Sequence, residues 1–330
     1  MYTIIHFNIG VDANDIQKMV QKFIHSVGQC LCYDEVRRRF AVRVDDRSAF
    51  SKWSVQYKSV IIRIESVNTP YVLSSIQWQA DNQVEYPLFS PLNCCLIAGP
   101  CSIESHSQLV ECATFLSQRG IKMMRAGAIK GRTSPFQYRG MGLSGYDMMQ
   151  DICSEYGLMS VCEVFDEVGA AYASKRIDWL QVGARSMQNY TLLTALSKLP
   201  NTVILKRGLS NTYKEWLQAA DYLLSSGKKN VVLMERGIRS FETQTRFTFD
   251  IAAIPVMKQL SHLPVFADPS HAAGDRTVVI PIAKGALAAG AQGLMIEIHP
   301  KPSEARCDGS QALTFPMFDG LINKKHTFIN

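Results

Sequence analysis

Eight short apolar runs at roughly even spacing constrain the fold of this chain more than any other feature. Reading from residue 93, they are NCCLIA, IKMMRA, LMSVCEV, IDWLQVGA, TVILKR, NVVLMER, LPVFADPSH and AQGLMIEIHP. Strands that are buried on both faces of a parallel sheet read as continuous apolar runs of this kind. The runs therefore predict eight buried parallel strands.

The segments between the runs carry helical patterns, and several end in glycine, which suits the left-handed position after a helix. They are HSQLVECATFLSQRG, GYDMMQDICSEYG, NYTLLTALSKL, TYKEWLQAADYLLSSG, TFDIAAIPVMKQL and TVVIPIAKGALAAG. Strands that alternate with helices are typical of βα units, and eight units indicate an α/β fold closed into a (β/α)8 TIM barrel. The first strand is not followed by a G-x-G-x-x-G turn, which argues against an open dinucleotide-binding sheet.

The first 65 residues have a different pattern and predict a small separate domain. YTIIHFN reads as a strand and DANDIQKMVQKFIHSV as a helix, while QCLCYDE and RRRFAVRV read as two more strands. A helix over Asp46–Trp53 and the strand KSVIIRIES complete the order βαββαβ, which is the ferredoxin-like α+β motif. We assign residues 1–70 to this domain and residues 71–330 to the linker and barrel, with 66–84 as a linker of little periodicity.

Composition excludes several classes of protein. An apolar content of 47% is typical of globular chains, and the sequence lacks an apolar stretch of about 18 residues that could span a membrane. The start MYTIIHFNIG lacks the basic region of a secretory signal, so we expect a cytoplasmic location. The net charge of +6 is not concentrated in a patch, which argues against nucleic acid as a partner. Nine cysteines in a chain of this length are expected to be reduced and mostly buried.

Potential metal ligands lie at the ends of three predicted strands. In a closed parallel barrel, residues beyond the carboxyl ends of the strands converge on one mouth. Cys101, His271 and Glu297 follow the first, seventh and eighth strands, and Asp308 lies in the loop after the eighth. Each residue alone is better explained as a buried thiol, a core histidine or a loop acid. Together they suit a borderline divalent ion such as Mn, Fe, Co or Zn, so we predict a metal site.

Basic residues that follow other strands, at the same mouth of the barrel, predict a pocket for anions. They are Arg125, Lys130, Arg132, Arg185, Lys206 and Arg236. Such cations repel one another unless anions offset them; guanidinium groups bind phosphate and carboxylate in a bidentate way, and lysine acts as a point charge. Lys206 and Arg207 are consecutive, so a continuing strand can turn only one of them inward, and the inward pattern favours Lys206.

The loop over residues 127–145 is long and rich in glycine. Long loops in compact domains tend to be functional. Arg132, Thr133 and Ser134 offer a guanidinium and two hydroxyl groups in a row. We expect this stretch to bind a second phosphate.

Motifs at the strand ends form a recognisable series. In chain order they are IAGPCSIES, K-x-RTSPF, QVGARSMQN, LKRG, ERGIRSFE, DPSHAAG and IEIHP…CDGSQAL. Over about residues 93–320 they resemble 3-deoxy-D-arabino-heptulosonate 7-phosphate (DAHP) synthases, in the group that includes 3-deoxy-octulosonate 8-phosphate (KDO8P) synthases. The N-terminal domain resembles the ferredoxin-like regulatory domain of some of these enzymes. The resemblance implies a transferase that condenses phosphoenolpyruvate with erythrose 4-phosphate, the first step of the shikimate pathway to chorismate and the aromatic amino acids.

The resemblance also implies roles for individual residues. The implied metal ligands are Cys101, His271, Glu297 and Asp308. The implied contacts of phosphoenolpyruvate are Arg125, Lys130 and Lys206 for its carboxylate, and Arg185, the Ala184 backbone and Arg236 for its phosphate. The implied contacts of the sugar phosphate are Arg132, Thr133 and Ser134. Glu163 positions a water near the enol carbon, and the implied catalytic set is Lys130, Glu163, Cys101 and His271.

The aldehyde substrate is inferred from the second loop. The R-T-S stretch looks like the DAHP synthase version, whereas KDO8P synthases, which use arabinose 5-phosphate, typically have Asn-Arg-Ser there. Gly131 departs from the family, where proline is usual, and the segment after Asp308 is short, so we expect an abbreviated last helix. The alternatives are a KDO8P synthase and a non-catalytic barrel that senses aromatic amino acids; the intact metal and phosphate sets argue against the second.

Two further expectations concern partners. Phenylalanine or tyrosine is expected to bind the N-terminal domain and inhibit the enzyme, because its ferredoxin-like order resembles the family's regulatory domain. A homo-oligomer is also expected, since members of this family are commonly tetrameric.

Overall fold

The computed structural model describes residues 1–78, 84–132, 134 and 136–323. It confirms the predicted fold, a (β/α)8 barrel preceded by a small ferredoxin-like domain. Thr133, which was expected to bind the sugar phosphate, lies outside the described residues. Within the described part of the chain, the helices are too short or too polar to cross a membrane.

The strands and helices follow the predicted order. The strands are β1 (Tyr2–Phe7), β2 (Gly28–Asp34), β3 (Arg39–Val44), β4 (Ile61–Val67), β5 (Leu88–Phe89), β6 (Cys94–Gly99), β7 (Met123–Arg125), β8 (Met159–Val164), β9 (Trp179–Val182), β10 (Thr202–Lys206), β11 (Val231–Glu235), β12 (Val265–Ala267) and β13 (Gly293–Glu297). The helices are α1 (Ala13–Ser26), α2 (Arg47–Gln56), α3 (His106–Gln118), α4 (Ser144–Tyr156), α5 (Glu167–Ala173), α6 (Tyr190–Ser197), α7 (Tyr213–Leu224), α8 (Ala253–Leu260), α9 (Pro269–Ala273), α10 (Arg276–Ala288) and α11 (Phe315–Ile322). Short 3-10 helices cover Ala184–Ser186 and Pro302–Glu304.

The N-terminal domain is an antiparallel sheet with two helices on one face. Its strand order is β2-β3-β1-β4, as the ferredoxin-like motif requires. Asp12 and Asp46 cap α1 and α2 by accepting hydrogen bonds from backbone N–H groups of the first turn. Phe23 of α1 packs edge-on against Trp53 of α2, so the two helices share a core with the sheet beneath them.

The opposite face of this sheet packs on the barrel. Ile4 and Ala41 belong to the same continuous apolar core as the barrel helices. The predicted linker takes part in this contact, because Val72 and Leu73 are buried and the Arg39 guanidinium lies 4.3 Å from the centre of the Trp78 ring. Over residues 68–78, the lack of periodicity therefore reflects irregular backbone that is packed between the small domain and the barrel.

The barrel consists of the eight parallel strands β6–β13, and pairing between β13 and β6 closes it. Its interior is filled by large apolar side chains that point inward from alternating positions: Cys95, Ile97, Met123, Val161, Trp179, Ile204, Val232, Met234, Phe266 and Met295. Such a filled interior leaves only the ends of the barrel for a ligand. Tyr86, just before β5, packs edge-on against Phe266 in this interior.

The barrel helices agree with the periodic segments, with two short exceptions. The structure adds α5 and α9, which have seven and five residues and are too short to give a periodic signal. Helix α9 begins directly after β12, where Asp268 is the N-cap and Pro269 occupies the first turn. The last helix, α11, has eight residues.

Candidate active site at the mouth of the barrel

Four side chains that are distant in sequence or belong to different elements meet at the carboxyl ends of neighbouring strands. Cys101 follows β6, His271 lies in α9, Glu297 ends β13, and Asp308 lies in the loop that follows. One ligand atom of each residue lies within 4.8 Å of the others. Cys101 and Glu297 are buried, and the other two are half-buried at the cavity. A thiol, an imidazole and two carboxylates at this separation fit a divalent metal ion.

Glu297 is fixed by two donors. Its Oε1 accepts a hydrogen bond from Nη1 of Arg125 at 2.5 Å, and its Oε2 accepts one from Nε2 of Gln311 at 2.5 Å. Burial alone would raise the pKa of this carboxyl group, but the charge of His271 while its ring is protonated and the permanent charge of Arg125 outweigh burial and lower it. Glu297 is therefore held in the ionised form that a metal ligand needs.

Asp308 has an unusual backbone conformation for a side chain that carries a Cβ. Its φ of 51° lies in the left-handed region, which aspartate tolerates better than most residues. Nη1 of Arg246 lies 3.3 Å from Oδ1 of Asp308. Burial acts to raise the pKa of Asp308, but the charge of His271 while its ring is protonated and the charge of Arg246 lower it further than burial raises it.

Cys101 lies beside a second thiol. Its Sγ is 2.8 Å from Sγ of Cys307 and 3.1 Å from Oδ2 of Asp308. Burial raises the pKa of Cys101 well above its ordinary value, so its thiolate requires a nearby positive charge. A coordinated metal ion supplies that charge, because it deprotonates a thiol that binds it.

His271 is oriented by Asp268. Oδ2 of Asp268 lies 2.7 Å from Nδ1 of His271, and Oδ1 accepts the backbone N–H of the same residue at 3.1 Å. The other ring nitrogen, Nε2, lies 3.3 Å from Oε1 of Glu297 and 4.0 Å from Oδ2 of Asp308. Burial lowers the pKa of His271, which favours the neutral imidazole that binds metals.

A cavity of about 470 Å³ opens next to these four residues. Most of the predicted basic residues line it, together with arginines that the sequence did not indicate. The basic side chains of its wall are Lys130, Arg132, Arg185, Lys206, Arg236, Arg239 and Arg246. Glu163, Ala184, Ser134, His271 and Asp308 also line it. This accumulation of positive charge suits a ligand with several negative charges.

Arg125 occupies a different position from the other predicted cations. It does not line the cavity but is 2% exposed and forms its ion pair with Glu297 one layer deeper. Arg125 is the last residue of β7, and its guanidinium reaches the buried carboxylate of Glu297 beneath the cavity. It contacts the metal-ligand group directly.

The alternation of β10 separates Lys206 from Arg207. Lys206 lines the cavity and its Nζ lies 2.5 Å from Oδ2 of Asp268. Arg207 turns away, and its Nη1 donates to Glu235 at 3.1 Å and to Asp250 at 2.7 Å. The structure thus has Lys206 inward and Arg207 outward, as the strand pattern predicted.

Two of the cavity cations, Arg236 and Lys130, are buried and have no carboxylate partner within salt-bridge distance among the residues that the structure describes. Arg236 is 6% exposed, and burial lowers its pKa to about 10, while its guanidinium lies 4.2 Å from the centre of the Phe247 ring. Nζ of Lys130 donates to the backbone oxygen of Cys101 at 3.2 Å. A buried charge is costly unless it is paired, so an anion in the cavity would relieve both.

Two glycines allow the cavity wall to form. A Cβ on Gly183 would overlap the carboxylate of Glu163, so glycine is needed for that carboxylate to face the cavity. A Cβ on Gly131 would lie 2.7 Å from the ring of Phe165. The Phe165 ring therefore occupies space that a larger residue at position 131 would need.

Sequence reasoning missed some residues that contact the site. Asp268 could have been found, because it directly follows β12, as the other strand-end residues follow their strands. Arg246, Gln311 and Cys307 lie in long loops, where no periodic signal indicates which side chains turn inward. Only the folded loops bring them to the metal-ligand group.

Comparison with known proteins gives one consistent result. Residues 91–327 match the DAHP synthetase I family. Phospho-2-dehydro-3-deoxyheptonate aldolase from Thermotoga maritima is 43% identical over 229 residues, which cover 69% of this chain and 68% of that protein. The crystal structure of a DAHP synthase of this name from the same organism aligns with a TM-score of 0.73 and 34% identity over 97% of this chain and 94% of that one.

A second group of relatives is more distant. A 2-dehydro-3-deoxyphosphooctonate aldolase from Bradyrhizobium sp. is 28% identical over 251 residues, which cover 71% of this chain and 87% of that protein. The higher identity to the heptonate enzyme agrees with the R-T-S stretch of the second loop. The chain belongs to the DAHP synthetase I family.

Proposed function

We propose that this protein is a DAHP synthase that condenses phosphoenolpyruvate, erythrose 4-phosphate and water to DAHP and inorganic phosphate. The observation that carries the proposal is the position of the four-residue metal-ligand group beside a cavity lined by seven basic side chains. Two phosphorylated substrates repel each other, and a cationic cavity offsets this repulsion while it orients them.

In this proposal, phosphoenolpyruvate lies in the inner part of the cavity. Lys130 and Lys206 bind its carboxylate, and Arg185, the Ala184 backbone and Arg236 bind its phosphate. The burial of Lys130 and Arg236 supports this assignment, because buried cations need an anionic partner. Lys206 lines the same cavity but already has Asp268 as a partner. Arg125 was expected to share the carboxylate; we propose instead that it acts from beneath by keeping Glu297 in place.

The sugar phosphate lies nearer the rim of the cavity. We assign Arg132 and Ser134 to its phosphate, and Thr133 by the family motif. Nε of Arg132 donates to the backbone oxygen of Tyr138 at 3.0 Å, which leaves its terminal nitrogens for a phosphate.

Cys101, His271, Glu297 and Asp308 would hold one divalent ion, which we take to be Mn, Fe, Co or Zn. When bound, such an ion polarises an aldehyde oxygen as a Lewis acid. Lys130 lies at the boundary between this group and the cavity, so its ammonium can donate a proton to the aldehyde oxygen as that oxygen becomes a hydroxyl group. Glu163 lies in the cavity wall, where its carboxylate can orient a water molecule and accept its proton.

The bond changes follow from these positions. The electron pair of the enol double bond forms a carbon–carbon bond from C3 of phosphoenolpyruvate to the aldehyde carbon, and positive charge develops at C2. Water held by Glu163 adds to C2. The bond between C2 and the phosphate oxygen then breaks. The electron pair and the proton of the new C2 hydroxyl group leave with inorganic phosphate, and a keto group remains at C2.

The test is a phosphate-release assay with phosphoenolpyruvate and either erythrose 4-phosphate or arabinose 5-phosphate. We expect turnover with the four-carbon sugar that is lost on chelation and restored by a divalent ion. Turnover only with the pentose would replace the proposal with KDO8P synthesis. No metal-dependent turnover with either sugar would favour a non-catalytic sensor.

We also propose that phenylalanine or tyrosine inhibits the enzyme through residues 1–70 and that the protein is a homotetramer. The ferredoxin-like domain supports the first idea because it packs directly on the barrel, so a ligand that shifts it is able to affect the barrel. Deletion of residues 1–70 should abolish inhibition; inhibition by both amino acids that survives the deletion contradicts the idea. Light scattering of the full chain tests the tetramer.

A further inference from the structure

The carboxylate of Asp268 is fully buried and contacts both Lys206 and His271. In the proposed function, Lys206 binds the substrate carboxylate and His271 binds the metal ion. Oδ2 of Asp268 accepts a hydrogen bond from Nζ of Lys206 at 2.5 Å and lies 2.7 Å from Nδ1 of His271. Lys206 belongs to β10 and faces the cavity, whereas His271 belongs to α9 and faces the metal-ligand group. One oxygen atom thus connects the two halves of the site.

Asp268 determines which ring nitrogen of His271 is available to a metal ion. An ionised carboxylate only accepts hydrogen bonds, so Nδ1 must carry the proton. The lone pair then lies on Nε2, the nitrogen that faces Glu297 and Asp308. Partners of this kind orient metal-binding histidines and make them better ligands.

Asp268 also restrains the ammonium group of Lys206. Burial would disfavour this charge if it had no partner, and Asp268 supplies a partner that is itself fully buried. Because both donors approach the same oxygen, a stronger bond to one weakens the bond to the other. A cation on Nε2 strengthens the bond from Nδ1 to Asp268 and so frees Lys206 for an anion. An anion that draws Lys206 away from Asp268 in turn strengthens the bond from Nδ1 and makes His271 a better metal ligand.

We propose that Asp268 is a positioning residue that couples metal binding to binding of the substrate carboxylate. The proposal rests on the proposed function for the identity of that substrate. Coupling of this kind is reciprocal, so each ligand raises the affinity of the protein for the other by the same factor.

The Asp268→Asn variant separates this role from a structural one. Asparagine is as good an N-cap as aspartate, so its side-chain oxygen can still accept the backbone N–H of His271 and α9 should persist. With that oxygen in the N-cap, the amide nitrogen takes the place of Oδ2, and because it only donates it cannot accept from Nδ1 or Nζ. Asp275→Asn is a matched control, because Asp275 caps the next helix, α10, and lies outside the cavity lining.

The experiment titrates Co²⁺ into the metal-stripped full chain and follows the absorption of the cobalt–thiolate bond, with and without phosphoenolpyruvate. In the wild-type protein and Asp275→Asn we expect phosphoenolpyruvate to tighten Co²⁺ binding by the same factor. In Asp268→Asn we expect Co²⁺ to bind roughly 10- to 100-fold more weakly and that factor to fall at least about threefold. Asp268→Asn should unfold at a lower temperature because Lys206 loses its buried partner, so the titrations are made well below its unfolding midpoint.

Two results would overturn the proposal. One is Co²⁺ affinity of Asp268→Asn within about twofold of wild type, which would mean that Asp268 does not orient His271. The other is an unchanged effect of phosphoenolpyruvate, including no effect in the wild-type protein, which would mean that Asp268 does not couple the ligands. These readouts are binding constants, so they are independent of the turnover assay that decides the proposed function.

Discussion

At the scale of single residues, the candidate site depends on contacts among charged and polar side chains that are present before any ligand is considered. Arg125 and Gln311 fix Glu297, and Asp268 fixes His271. Such partners restrict the ligand side chains to one arrangement, which reduces the ordering that binding would otherwise require. The site is therefore largely preformed.

Cys101 provides the sharpest test of the metal-ligand group, because Cys307 is a matched control 2.8 Å away. Cys101→Ser should lower metal affinity by at least roughly 100-fold, since loss of a ligand should cost as much as loss of a residue that only orients one. Cys307→Ser should retain about one metal ion per chain after dialysis. Elemental analysis after dialysis measures the metal content per chain of both variants. Equal metal content in the two variants would remove Cys101 from the ligand set.

Gly131 and Phe165 form a second testable pair. Gly131→Ala should raise the KM for erythrose 4-phosphate, because the new Cβ would press on the Phe165 ring and shift the adjacent loop at a cost of about 1–3 kcal/mol. Adding Phe165→Ala should relieve this contact and return KM toward the value of Phe165→Ala alone. A double-mutant cycle on KM checks the coupling. Additive effects of the two changes would show that the ring does not limit position 131.

At the scale of elements, one carboxylate contributes two of the hydrogen bonds that attach the segment between the two domains to the barrel. Asp221 of α7 accepts the backbone N–H groups of Val72 and Ser74, both at 2.7 Å. Burial raises the pKa of Asp221 to about 6, although these hydrogen bonds act to lower it. The attachment is therefore expected to depend on pH.

The contribution of Asp221 to the stability of the folded chain should decrease as the pH rises. An unfolded aspartate has a pKa of about 3.9. The folded chain holds the proton more tightly, so the contribution of Asp221 to stability is complete below about pH 4 and is lost as the pH rises through about 6, by up to about 3 kcal/mol. Asp221→Asn cannot titrate. Urea unfolding at pH 4–7 should show the wild-type protein losing stability relative to this variant as the pH rises; a constant or opposite difference would contradict the assignment.

Elements with a strong periodic signal were predictable, and short or irregular ones were not. The eight barrel strands were found from their apolar runs, and the order βαββαβ from alternation and helical spacing. Helix α9 has five residues and gave no periodic pattern. The sequence therefore indicated His271 but not the capping role of Asp268. The linker was read as irregular, but its burial depends on contacts with α7 and with Arg39 that are distant in sequence.

Prediction of the candidate site had the same limit, because residues in irregular loops gave no periodic signal. The strand-end rule indicated the four candidate ligands and the cavity cations, because it follows from closure of a parallel barrel. It also indicated Arg125, which ends β7 and contacts Glu297 rather than lining the cavity. Arg246 lies in the loop between β11 and α8, and its approach to Asp308 is decided by loop packing that has no period.

At the scale of the whole molecule, a rigid barrel carries the site at one end and a small domain packs against its helices. The filled barrel interior and the closed sheet provide the rigidity that precise placement of two substrates requires. Membership in the DAHP synthetase I family agrees with this arrangement. The proposed function requires one metal ion and one phosphoenolpyruvate to occupy adjacent positions at the end of the barrel that carries the site.

A crystal structure of the protein with Mn²⁺ and phosphoenolpyruvate, with anomalous scattering to locate the metal, tests this most directly. We predict a single anomalous peak within bonding distance of Cys101, His271, Glu297 and Asp308. The substrate should lie beside it, with its carboxylate on Lys206 and its phosphate on Arg185 and Arg236. An ion bound elsewhere, or a substrate outside this cavity, would contradict the account.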